Sequence, residues 1–230
     1  MTHIYRLGVE LEGGWDRTIP GEVIGRDSSV EDLDCDHAGE LASKPLKLEP
    51  LLEWVKLCHP QYVNDSCGMH VHLSLKRLDD YTRLMDPRFA AYFKASMESL
   101  GQEMVLPEHH EFWKRLSGKN HYCEANFIPQ QQYSAKDKPS TRYTQLNFCW
   151  AYHGTVECRL FPAFETYKQA QQAITGLVKC VDGYLDKPER VKPRLLQFML
   201  MDDEGTVQTK KFISRKGGPV CALSSATTPR

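Results

Sequence analysis

The chain has 230 residues, 41% of them hydrophobic, and a formal net charge of −1 at pH 7. That length holds one sizeable core, and the balanced charge excludes a general electrostatic grip on nucleic acid or an anionic membrane. No apolar run reaches the length of a membrane span.

Residues 3–12 alternate as a strand, which puts Glu10 and Glu12 on one face around Leu11. Residues 22–27 predict a short second strand, 28–39 an acidic loop, and 39–43 another short strand stopped by Pro45. Leu48 to Cys58 carries a helical period through Leu51, Leu52, Val55 and Leu57. Residues 69–76 form the most informative strand: His70 and His72 share one face, while Met69, Val71, Leu73 and Leu75 take the core face. A helical region follows from Asp79 to Met104, interrupted at Asp86-Pro87, with a further short helix over 108–116. The polar stretch 117–141 is a long loop and a lid candidate. Strands resume over 143–150 and 155–161, the second pairing Glu157 with Arg159, and Ala151-Tyr152-His153-Gly154 closes them into a hairpin. Thr166 to Asp186 is the clearest helix. The sequence is expected to form one domain over 1–190, with 191–230 a partly mobile C-terminal extension. Strands and helices do not alternate strictly, so the expected fold is α+β, a mainly antiparallel curved sheet with flanking helices.

The eight cysteines show no Cys-x-x-Cys spacing, and the N-terminal segment lacks the basic and apolar regions of a signal peptide. Reduced thiols in a cytoplasmic protein are therefore expected. A zinc site using Cys67 with His70 is a lesser option.

Each polar pair by itself also fits an ordinary half-exposed strand, and Glu157 with Arg159 fits a surface ion pair. Together they would form one concave polar face, whose carboxylates and imidazoles are costly to assemble unless cations fill it.

Taken in order, Glu10-x-Glu12, Gly68-Met69-His70-Val71-His72-Leu73-Ser74 and Glu157-x-Arg159 resemble the glutamine synthetase-like superfamily. Arg26-Asp27-Ser28-Ser29 with Glu40-Leu41-Ala42-Ser43-Lys44-Pro45-Leu46, and Arg142…Asn147 before Thr155-Val156-Glu157, make the chain more similar to a compact branch, the amidoligases or carboxylate–amine ligases. The resemblance covers roughly residues 4–180 and implies a glutamine synthetase catalytic-domain-like fold. The ammonia- and glutamate-binding segments of glutamine synthetases are not recognisable, so the acid and the amine stay open.

The resemblance implies ATP-dependent amide formation through an acyl phosphate, assisted by Mg2+ or Mn2+. Glu10, His70 and Glu157 would hold the metal that bridges the ATP phosphates. Glu12 and Glu40 would hold a second metal, with Asp27 a weaker candidate beside them. His72 would face the nucleotide, and Arg159 and Arg142 would neutralise the transferring phosphoryl group or the substrate carboxylate. Gln145 and Asn147 share a strand face that either orients substrate or is merely polar. The expected partners are a small-molecule or peptide carboxylate and an amine, with neither a membrane nor general nucleic-acid binding. Two alternatives stand beside this: a metal-dependent hydrolase using the His70/His72 pair, and a non-catalytic binding module on the same fold.

Overall fold

The computed structural model describes residues 2–124, 143–148 and 153–187, and the backbone alone at 200–201 and 207–208. The chain divides into two units, Met1–Glu189 and Arg190–Arg230. The first holds strands β1 (Ile4–Trp15), β2 (His37–Ala42), β3 (Gly68–Leu75), β4 (Leu146–Asn147) and β5 (Val156–Pro162). Its helices are α1 (Leu48–Cys58), α2 (Leu78–Leu84), α3 (Pro87–Glu103), α4 (Glu111–Leu116) and α5 (Tyr167–Leu185). The described part of the second unit is an antiparallel pair, β6 (Leu200–Met201) with β7 (Val207–Gln208).

The first unit is an antiparallel sheet of order β2-β1-β3-β5-β4 with flanking helices. Period-two alternation explains why its centre is stable. Leu7, Val9 and Leu11 of β1, and Met69, Val71 and Leu73 of β3, are each at most 2% exposed. Burying side chains of this kind contributes about 1.5–3 kcal/mol each. The intervening residues form the polar face. Helix α1 lies against β1 and α5, α3 packs on α5, and α4 lies against β5.

Local chemistry sets the helix ends. Pro87 stands at the first turn of α3, and the Asp86 carboxylate accepts from the Arg88 amide, which separates α2 from α3 where the sequence predicts a break. Thr166 caps α5 through the Gln169 amide. His110 accepts from the Phe112 amide through Nδ1 and stacks on Phe164.

One predicted strand is corrected. Residues 22–27 do not form a strand: the segment touches β2 only through the isolated bridge between Gly25 and Glu40. The reason is that its apolar alternation has no core to face, and Val23 stands 86% exposed. Gly39, at φ 156°, makes the bridge feasible, because a Cβ there would collide with the Gly25 carbonyl oxygen. Among the described residues, β4 covers only Leu146–Asn147 of the predicted 143–150 strand. Arg142, residues 125–141 of the lid candidate, 149–152 of the hairpin and most of the C-terminal extension lie outside the described residues.

Candidate metal centre

Strand register converts three separate polar pairs into one site. Glu10 lies opposite His70, Gly8 opposite His72, and Glu12 opposite Glu40. On the other side of β3, His72 lies opposite Glu157, which in turn faces Asn147 of β4. A bulge completes the convergence. Met69 pairs with Phe161 but Val71 with Cys158, so both Arg159 and Leu160 stand against His70. Leu160 turns into the core, and the Arg159 guanidinium reaches the polar face.

The first donor group is Glu10, His72 and Glu157, each with a ligand atom within 4.8 Å of the others. Glu10 divides its oxygens: Oε1 lies 3.1 Å from His72 Nε2, and Oε2 lies 3.2 Å from His70 Nδ1. Glu157 is buried, and it accepts from Asn147 Nδ2 at 3.0 Å and from Arg159 Nη1 at 2.8 Å. Asn147 is itself fixed by the Thr144 hydroxyl, which donates to Asn147 Oδ1 at 2.7 Å.

The second group is Glu12, Asp27 and Glu40, with ligand atoms again within 4.8 Å of one another. Glu12 is buried, and its Oε2 accepts from the Gly68 amide. Asp27 is delivered by the Gly25–Glu40 bridge two residues earlier, and its carboxylate accepts from the Ser29 amide and hydroxyl, both at 2.8 Å. His70 stands between the groups. Its Nδ1 faces Glu10, and its Nε2 lies 3.6 Å from Glu12 Oε1, too long for a hydrogen bond. With a proton on Nδ1, Nε2 is the nitrogen left to bind a cation.

The donor chemistry fits the expected ions. The second group is all carboxylate oxygen, which suits Mg2+ or Mn2+, and one imidazole in the first group favours Mn2+ as an alternative. Cys67 belongs to neither group, and its Sγ lies 3.5 Å from Asn64 Oδ1 in the turn before β3. The lesser option of zinc on Cys67 with His70 therefore gains no support.

Charge is distributed unevenly. Burial pushes the Glu10 carboxyl up, but hydrogen bonds from His70 and His72 more than offset this and hold it well below its ordinary range. Burial also works against ionising Glu157, and the neighbouring Arg159 and imidazoles outweigh it to keep the carboxylate ionised. His72 is raised: burial opposes its charge, and the Glu10 carboxylate prevails. Glu40 moves the other way, to about 7, through burial and then the nearby charges of Glu10, Asp27 and Glu12. A bound cation would favour the ionised form of such a crowded carboxylate.

The structure thus brings Glu10, Glu12, Glu40, His70, His72, Glu157 and Arg159 together, and promotes Asp27 to a full member. It also redistributes roles. His72, expected to face a nucleotide, also stands with Glu10 and Glu157, while His70, whose Nδ1 lies 3.2 Å from Glu10 and 3.8 Å from Glu157, reaches Glu12 as well through Nε2. Gln145 does not face the site, since its amide donates to the carbonyls of Arg115 and Leu116 at 2.9 and 2.8 Å. Sequence reasoning misses Arg115 and the role of Gly68. Gly68 leaves the space in which Glu12 and His70 meet, and Arg115 buries its guanidinium beneath them. Gly68 stands in the motif that carries the resemblance, but its role as open space does not show there, and Arg115 reads as an ordinary charge on a short helix.

Comparison of the chain with protein-family models, with curated proteins and with solved structures finds no match. Among the described residues, no helix is long and apolar enough to cross a membrane.

Proposed function

We propose that this chain is an ATP-dependent carboxylate–amine ligase whose fold is related to the catalytic domain of glutamine synthetases. One observation carries the proposal: two cation donor groups lie side by side, joined through His70, with the Arg159 guanidinium next to Glu157. Phosphoryl transfer needs this combination of clamped cations and a fixed positive charge.

The substrate carboxylate attacks the γ-phosphorus of ATP, the bond to the β,γ-bridging oxygen breaks, and ADP leaves. The amine nitrogen then attacks the acyl carbon, phosphate departs, and the nitrogen loses a proton. Bound cations supply neutralisation of the phosphate oxygens. Glu10, His72 and Glu157 would hold one cation, and Glu12, Asp27 and Glu40 would hold the other. Arg159 has a planar fork suited to a phosphoryl or carboxylate group, and Glu157 holds it at the site. Arg142 is the resemblance-implied second arginine.

A hydrolase built on His70 and His72 has less support. The two donor groups hold five carboxylates and one imidazole, a set that suits Mg2+ or Mn2+ better than the nitrogen-rich site of a zinc hydrolase. Screening acids and amines for ADP release with Mg2+ tests the ligase directly. ADP formation that requires both an acid and an amine supports it. Metal-dependent hydrolysis of esters or amides without ATP would replace it with the hydrolase, and neither activity would favour a non-catalytic module.

A further inference from the structure

Arg115 lies on the buried side of α4, alongside Phe112 and Leu116, at 1% exposure. A guanidinium in that position is expensive to desolvate and calls for a compensating partner. Its hydrogen bonds run to two backbone carbonyls: Nη2 donates to Cys67 at 3.2 Å and Nη1 to Phe161 at 3.4 Å. Nε has no hydrogen-bond partner among the described residues, and no carboxylate there lies within ion-pair distance. Carbonyl dipoles anchor a guanidinium but do not neutralise it.

What faces this charge is Glu12 of the second donor group, with His70 beside it. A Cβ on Gly68 would sit 3.1 Å from Arg115 Nη1, 3.1 Å from Glu12 Oε2 and 3.0 Å from His70 Nε2. The three polar groups therefore converge on the space that glycine leaves open. The guanidinium approaches Glu12 from the buried side of α4.

We propose that Arg115 is a positioning residue that sets the charge preference of the second cation site. This rests on Glu12, Asp27 and Glu40 holding a cation, and it goes beyond the ligase reading by assigning a role to a residue outside both donor sets. Three carboxylates alone favour a trivalent ion. A fixed guanidinium behind Glu12 offsets one of them, so the group matches a divalent ion. The repulsion that Arg115 exerts grows with the charge of the ion, so it penalises a trivalent cation more than a divalent one.

The test is competitive binding of Tb3+ and Mn2+ to the full chain without nucleotide, in wild type, Arg115→Gln, Arg115→Met and Arg115→Lys. The binding event lost in Asp27→Asn identifies the second site. The Tb3+/Mn2+ affinity ratio at that site should rise about tenfold or more in the Gln and Met variants, the size expected of one unit charge removed at partly screened, short range. It should stay within about threefold of wild type in Arg115→Lys, which keeps the charge. A merely structural arginine would lower both affinities together and leave the ratio unchanged, which overturns the proposal. Met is an apolar replacement of the kind that buried ions often tolerate. If neither neutral variant folds, Arg115 is a framework residue and the proposal falls. If wild type binds neither ion, the two-cation site itself is wrong, an outcome distinct from an unchanged ratio.

Discussion

Arg159 donates to Glu157 over 2.8 Å from two positions along the same strand. Same-face neighbours on a strand meet readily, but two features raise this pair above a surface contact. Glu157 is 7% exposed, and the bulge on β5 sets Arg159 against His70. The pair therefore presents a fixed cation at the edge of the first donor group.

If Arg159 serves phosphoryl transfer, Arg159→Lys should lower turnover about 100-fold while nucleotide affinity changes less than about threefold, because lysine keeps the charge but loses the planar fork. Measured kcat and nucleotide Kd separate the two effects. Equal losses in both would make Arg159 a plain binding residue.

Glu40 makes stability depend on pH in a defined direction. Its carboxyl is raised from 4.5 to about 7, so between those values the folded state binds more protons than the unfolded one. The contribution is fully present below pH 4.5 and is lost as pH rises through about 7. Without divalent ions, Glu40→Gln should flatten this part of the Tm–pH profile and raise Tm at pH 8 relative to wild type. Mn2+ should raise Tm most above pH 7 in wild type and far less in the variant. A wild-type profile rising from pH 5 to 8 at the same rate as the variant would contradict the assignment.

The approach of the 22–27 segment to β2 gives a prediction that joins fold to site. Gly39→Ala places a methyl against the Gly25 carbonyl and should pry the segment, with Asp27, away from Glu40. The Mn2+ affinity of the second group should then fall about 10-fold or more, as in Asp27→Asn, in line with the loss of one ligand or its support. Titration of the two variants and wild type checks this. Full Mn2+ affinity in both would remove Asp27 from the site.

The pattern of residues along each strand is legible in the sequence because alternation is local. It alone places Glu10 with Glu12, His70 with His72, and Glu157 with Arg159 on shared faces. Which pair meets which is not legible, since register and the β5 bulge arise from packing between strands distant in sequence. That is why alternation alone does not show that His72 as well as His70 stands beside Glu10. Asp27 gives only a faint signal, because a single backbone bridge rather than a strand carries it to Glu40. Arg115 gives none, because nothing in a six-residue helix distinguishes a buried arginine from an exposed one.

Metal binding should also release protons. His72 is raised by Glu10 and sits among the donors of the first group, so a cation there must displace its proton. Calorimetric Mn2+ titrations at pH 7 in buffers of different ionisation enthalpy should show net proton release, reduced in His72→Gln. Buffer-independent heats would place His72 outside the metal site.

The most direct test of the central claim is calorimetric titration of a non-hydrolysable ATP analogue into the protein with Mg2+, with Mn2+, and with EDTA, in wild type and Glu157→Gln. A nucleotide-binding ligase site predicts binding in both metal arms, none in EDTA, and loss of the metal-dependent binding in a folded Glu157→Gln. Nucleotide binding unchanged by EDTA and by the substitution, or no nucleotide binding in any arm, would contradict it.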